Sequence, residues 1–168
     1  MKNVADKIAG WLDDKGIHTV FGIIGGGNVA LFNAIASLGK TKIVCTHHEQ
    51  AAVMAAGAFY RTCGRISAAI VTTGAGSTNA ITGCASAYMD GTPVLILSGN
   101  EASKYMYAKT PVWGVQGYDS SGAVQYLCKS SWRAHQNPYL DAALDTALKP
   151  RMGPVWVDIP KDVQNEQV

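Results

Sequence analysis

The chain has 168 residues, 48% hydrophobic and 15% charged, with 14 basic against 12 acidic side chains. That length supports one domain with a real core rather than two, and the apolar content excludes a disordered chain or a coiled coil. A net charge of +2 gives no electrostatic reason to expect nucleic acid or an anionic membrane as the main partner. Val4, Ile8, Trp11 and Leu12 fall on one face of a helix over residues 3–14, with Asn3 as its N-cap and Asp6 near the positive end of its dipole. Gly16 ends it. A strand over 18–24 runs into Gly25-Gly26-Gly27, and a helix over 28–38 follows. Residues 42–46 read as a strand, 49–61 as an alanine-rich helix, 66–71 as a strand, 77–89 as a helix and 93–98 as a strand. Residues 101–118 read as a long loop with a helical turn. Then come a helix over 120–126, a strand near 128–133, a helix opened by Asn137-Pro138, and a last strand over 155–159. Strands alternating with helices, most of the strands apolar on both faces, predict an α/β fold. It is a three-layer, doubly wound domain with a six-stranded parallel sheet.

Cys45, Cys63, Cys84 and Cys128 include no C-x-x-C pair and sit in apolar or helical surroundings. They read as buried free thiols of a reducing compartment rather than as a disulfide frame or a metal site. The N-terminus reaches acidic residues at once, without the apolar region of a signal peptide. Residues 66–89 carry no charge but are broken by Thr72-Thr73-Gly74-Ala75-Gly76-Ser77-Thr78-Asn79, which a bilayer core would not accept. The expectation is a cytoplasmic protein without a membrane span.

Three local patterns carry chemistry. Gly25-Gly26-Gly27-Asn28-Val29-Ala30 matches G-x-G-x-x-A between a strand and a helix, a possible anion site for a dinucleotide. The ribose-binding acid expected at the end of the next strand is poorly supplied, because Thr46-His47-His48 precede the nearest one. Glu49 opens a helix lined by Ala51, Ala52, Ala55, Ala56 and Gly57, small residues that admit another helix closely. A carboxyl beside such a dry interface is placed to exchange protons, whereas alone it would serve only the helix dipole. Residues 72–79 put two glycines and four hydroxyls at the carboxyl edge of a sheet, a place for a polar ligand.

In order along the chain stand Val20-Phe21-Gly22-Ile23-Ile24-Gly25-Gly26, His48-Glu49-Gln50-Ala51-Ala52, Thr73-Gly74-Ala75-Gly76-Ser77-Thr78-Asn79 and Gly153-Pro154-Val155-Trp156-Val157-Asp158-Ile159-Pro160-Lys161-Asp162-Val163-Gln164. In these the chain resembles the pyrimidine-binding domain of thiamine-diphosphate enzymes, most of all the acetolactate synthase-like branch, over essentially its whole length. The resemblance implies that Glu49 hydrogen-bonds the pyrimidine N1′ and favours the imino tautomer, whose nitrogen takes the thiazolium C2 proton. It implies cofactor contacts from Ile23, Ile24, Thr72, Ala75 and Asn79. It places Gln116 near the reacting carbonyl, with Gly25, Gly26 and His48 about a substrate pocket. Ile24 and Ala75 stand where prolines are usual, Asn100 where glutamine is frequent, and Val115-Gln116-Gly117 replaces a Phe-Gln-Glu run.

The sequence holds no Gly-Asp-Gly, the motif with which the family's diphosphate-binding domain holds Mg²⁺. Residues 1–168 are therefore expected to form one pyrimidine-binding domain, with the metal ligands on a separate subunit of a homo- or hetero-oligomer. The implied substrate is a small 2-oxo acid such as pyruvate, decarboxylated and passed to a proton or a carbonyl acceptor. The alternatives are the alpha subunit of a split sulfopyruvate- or phosphonopyruvate-type decarboxylase, a non-catalytic interaction domain of the same fold, and a nucleotide-binding protein.

Overall fold

A computed structural model describes residues 2–106, 112–135 and 138–168. Strands β1 (Thr19–Gly22), β2 (Lys42–Cys45), β3 (Ala68–Val71), β4 (Leu95–Asn100), β5 (Ser130–Arg133) and β6 (Val155–Pro160) form one sheet in the order β2-β1-β3-β4-β6-β5. Every pairing is parallel. Helices α1 (Val4–Asp14), α2 (Val29–Leu38) and α7 (Leu140–Leu148) cover one face, sealing Ile8, Leu12, Leu31, Ile35 and Ala143 onto Val20, Leu95 and Val157. Helices α3 (Glu49–Cys63), α4 (Ala75–Met89) and α6 (Ser120–Val124) cover the other, over Val71, Ile96 and Trp156. Short helices α5 (Ser103–Met106) and α8 (Lys161–Gln164) follow β4 and β6. The six-stranded, three-layer architecture is the one expected.

Several local expectations are met in detail. Asn3 caps α1 in a reciprocal capping box with Asp6. Gly16, expected to end α1, lies just past it with φ +69°. Strands β3, β4 and β6 are buried along their whole length, as apolar runs in a parallel sheet should be.

Other boundaries move for physical reasons. Strand β1 stops at Gly22 rather than residue 24, because Ile23 already gives its carbonyl to the Asn28 side chain. Helix α4 starts two residues early, at Ala75, since Gly74 with φ +64° makes the turn for it. Helix α8 was not foreseen. Residues 107–111, within the expected loop, and Asn137, at the expected opening of α7, lie outside the described residues.

Two of the four cysteines correct the expectation of burial: Cys45, at the end of edge strand β2, and Cys63, in the last turn of α3, are exposed. Cys84 and Cys128 are buried, and the Cys84 thiol is pushed up by its hydrogen bond to Cys128 and by burial. The helix that the small residues of α3 admit is α4 of the same chain. A Cβ at Gly83 would lie 2.7 Å from Val53 Cβ and 3.0 Å from the Gln50 carbonyl. Among the described residues, no helix is long and apolar enough to cross a membrane.

Candidate functional site

From β1 the chain winds outward to β2 on one side, then crosses to β3 on the other. That reversal leaves a crevice outside the carboxyl ends of β1 and β3, where open α/β sheets take ligands. Both glycine turns meet there. The first is built round a fully buried side chain, Asn28, whose Oδ1 accepts from Gly25 N (2.7 Å) and whose Nδ2 donates to Ile23 O (3.0 Å). Gly27 N donates to Thr72 Oγ1 (3.0 Å), tying this turn to the one after β3. Asn28 N donates to Gly25 O. With the amides of Gly25, Gly27 and Asn28 committed to protein acceptors, the first loop presents no run of open N–H groups to a diphosphate, which counts against the dinucleotide reading.

Glu49 enters from the first turn of α3, between the two glycine turns. It is 8% exposed, and its Oε2 accepts from Asn79 Nδ2 at 3.0 Å. An amide nitrogen can only donate, so a proton on this carboxyl belongs at Oε1. Oε1 faces the bare Cα of Gly76, where a Cβ would stand 3.2 Å away. A Cβ at Gly25 would lie 2.6 Å from Thr72 Oγ1, and one at Gly76 2.6 Å from Thr72 Cγ2. Bare backbone at Gly25 and Gly76 lets both glycine turns close onto the Thr72 side chain, with the buried Glu49 carboxyl beside Gly76 at the edge. The residues present fit an aminopyrimidine.

Thr72, Gly25, Glu49 and Asn79 thus come together. Gln116 lies against the same turn, its Cα 2.9 Å and its Oε1 3.0 Å from where a Cβ on Gly74 would stand. Ala75 is the exposed first residue of α4, Gly26 is exposed, and Ile24 is 53% exposed beside half-buried Ile23. The exposed His48 turns Nδ1 back onto its own helix, accepting from Gln50 N at 3.2 Å, and serves as the N-cap of α3.

The structure adds residues that motif reading passed over. Gln164, buried in α8, donates from Nε2 to Gly27 O (2.6 Å) and Ile159 O (2.7 Å), holding the first turn from the far end of the chain. Asp158, fully buried on β6, accepts from Ser120 Oγ (2.7 Å) and from Asn100 Nδ2 (3.0 Å to each oxygen). A lone acid in the otherwise apolar run 155–159 was the available signal.

Burial pushes the Asp158 carboxyl up to about 6, against the lowering effect of Ser120, Asn100 and Arg133. A raised acid contributes stability fully below its unfolded value near 3.8 and loses it as pH rises through about 6. The gap in unfolding free energy between the wild type and Asp158→Asn should therefore shift in favour of the variant between pH 4 and pH 7, on the order of 2–3 kcal/mol. Urea titrations at the two pH values measure it, and a pH-independent gap would contradict the assignment.

Residues 2–123 match the family model of the thiamine pyrophosphate enzyme, N-terminal TPP binding domain. The chain belongs to the thiamine pyrophosphate enzyme family. It is 36% identical to the acetolactate synthase isozyme 3 large subunit of Escherichia coli (strain K12), over 98% of this chain and 29% of that protein. It is 37% identical to the acetolactate synthase large subunit of Haemophilus influenzae, over 96% of this chain and 28% of that protein. Identity to the isozyme 2 large subunit of E. coli is 35%, over 96% of this chain. The chain is thus an acetolactate synthase-like pyrimidine-binding domain of the family, and it spans 28–29% of the length of these relatives.

Proposed function

We propose that this chain supplies the pyrimidine half of the site in a thiamine-diphosphate-dependent, acetolactate synthase-like lyase or carboligase. The substrate is a 2-oxo acid such as pyruvate, which is decarboxylated and whose remaining fragment passes to a proton or a carbonyl acceptor. The observation that carries this reading is Glu49: a buried carboxyl, oriented by Asn79, where the two glycine turns close together around Thr72. When bound, the cofactor supplies a thiazolium carbon that becomes nucleophilic once its proton is removed. This chain's part is to hold the aminopyrimidine against Thr72, Ile23, Ile24 and Ala75, and to share a proton with its ring nitrogen through Glu49 Oε1. Asn79 keeps that carboxyl from rotating. Gln116 lies on the substrate side, together with Gly25, Gly26 and His48.

The diphosphate and Mg²⁺ would be held by a separate subunit or domain, docked on the outward side of α3 and α4. Ala51, Met54, Ala58, Thr78 and Thr82 are exposed there, with no charged side chain among them. On this reading the isolated chain binds thiamine diphosphate at least 100-fold more weakly than the completed assembly, having lost the charge-assisted diphosphate contacts (about 1.5–3 kcal/mol each). Calorimetry with and without Mg²⁺ tests this. Tight, Mg²⁺-dependent binding by this chain alone would reject the half-site.

A further inference from the structure

The segment that carries Gln116 is seated directly on the turn after β3. Residues 112–117 close on themselves, with Gly117 N donating to Val112 O (3.0 Å). Gly117 is buried, and a Cβ on it would lie 2.9 Å from Val112 Cβ. The closed turn rests on Gly74, where a Cβ would stand 2.6 Å from Val115 O and 2.9 Å from Gln116 Cα. A bare Cα is what admits so close an approach.

Tyr118, two residues on, is held at both ends. Asn100 Nδ2 has one proton for the Asp158 carboxylate and a second for Tyr118 O, at 3.2 Å. The phenol reaches buried Ser77 in the first turn of α4, with 2.7 Å between Tyr118 Oη and Ser77 Oγ. Ser77 Oγ also lies 2.9 Å from Gly74 O. A carbonyl can only accept, so the single Ser77 proton goes to Gly74 O and the Tyr118 phenol donates to Ser77 Oγ. Each hydroxyl proton thus has one acceptor. Burial pushes the Tyr118 phenol above its ordinary value, so it keeps that proton at neutral pH. With its carbonyl and its phenol both held, Tyr118 leaves the chain two residues earlier little freedom to lift off Gly74. On the same turn of α4, Gly76 faces Glu49 Oε1 and Asn79 donates to Glu49 Oε2.

We propose that Tyr118 is a positioning residue: its phenol, through Ser77, holds Gln116 on the Gly74 turn and in register with the helical turn that orients Glu49. This rests on the reading of Gln116 as a substrate-side residue. Tyr118 acts through Ser77 and the backbone, not on the reacting atoms.

Tyr118→Phe keeps the ring and removes the donated proton. Hydrogen exchange of the full chain reads the result at Gly117, whose amide is bonded and buried while the segment is seated. Exchange there should rise about 3–10-fold in Tyr118→Phe, as expected for the loss of one hydrogen bond, with β3, β4 and β6 unchanged. Ser77→Ala should raise it as well, and adding Tyr118→Phe to Ser77→Ala should raise it little further, because the phenol has then already lost its acceptor. Unchanged exchange at Gly117, a second rise of equal size in the double variant, or a uniform rise across the sheet would each overturn the proposal. In the completed enzyme, Tyr118→Phe should lower kcat more than it raises KM for the 2-oxo acid. If exchange rises and turnover does not fall, the role of Gln116 fails while its positioning by Tyr118 stands.

Discussion

Glu49→Gln should leave folding and assembly nearly intact while slowing hydrogen–deuterium exchange at the cofactor's C2 by about 10²–10⁴-fold, the worth of a well-placed acid–base group. Glutamine matches the size of the carboxyl, can still accept from Asn79 Nδ2, and keeps the first turn of α3. It cannot pass a proton at the atom that faces Gly76. Glu49→Ala, which also leaves Asn79 without its acceptor, should be slower still. The measurement requires the completed assembly but no knowledge of the substrate, because exchange precedes any reaction with a 2-oxo acid. A Glu49→Gln assembly that exchanges at the wild-type rate would reduce Glu49 to a helix-start acid and sink the mechanism.

Gly99→Ala should be the most destabilising single methyl that can be added near the site, at about 3 kcal/mol or more. Its Cβ would lie 2.0 Å from Gly27 O, 2.5 Å from Gly27 C and 2.9 Å from Asn28 Cβ. Two of these are backbone atoms of a turn that cannot step aside cheaply. Gly27 O is gripped by Gln164, Gly27 N by Thr72, and the loop is closed over Asn28. Relief therefore costs several buried hydrogen bonds or a bend in a central strand. Gly26→Ala is the matched control, since nothing lies within 4 Å of the added Cβ. Urea unfolding should show a lower midpoint for Gly99→Ala and a nearly unchanged one for Gly26→Ala. Equal midpoints would mean that the strand and turn are not in the contact described.

Periodicity made the layers legible: the heptad-like face of Val4, Ile8, Trp11 and Leu12, and the apolar strands between glycine punctuation, lead directly to a parallel sheet. Ordered motifs made Glu49, Asn79 and the two glycine turns legible as parts of one site. The interior polar wiring was not legible. Asn100, Asp158 and Gln164 bond across up to 137 residues, and no local spacing encodes such a partner. Glycine spacing suggested an anion cradle at residues 25–27, but the Asn28 side chain takes the Gly25 amide and Thr72 takes that of Gly27. Small residues on α3 signalled close packing correctly without saying that the neighbour was α4.

Strand β6 enters the sheet between β4 and β5, and β5, made earlier, pairs with no other strand among the described pairings. On the ribosome, then, residues 130–133 emerge with no neighbour to join until residues 155–160 follow. The β1 turn likewise emerges about 137 residues before the glutamine that grips Gly27. Closing so long a loop is entropically slow and withholds its reward until late. The Gly27 turn therefore gains its Gln164 bond only after residues 161–164 are made, so a chain collapsed around β1, β2 and β3 still lacks a contact that holds the first glycine turn.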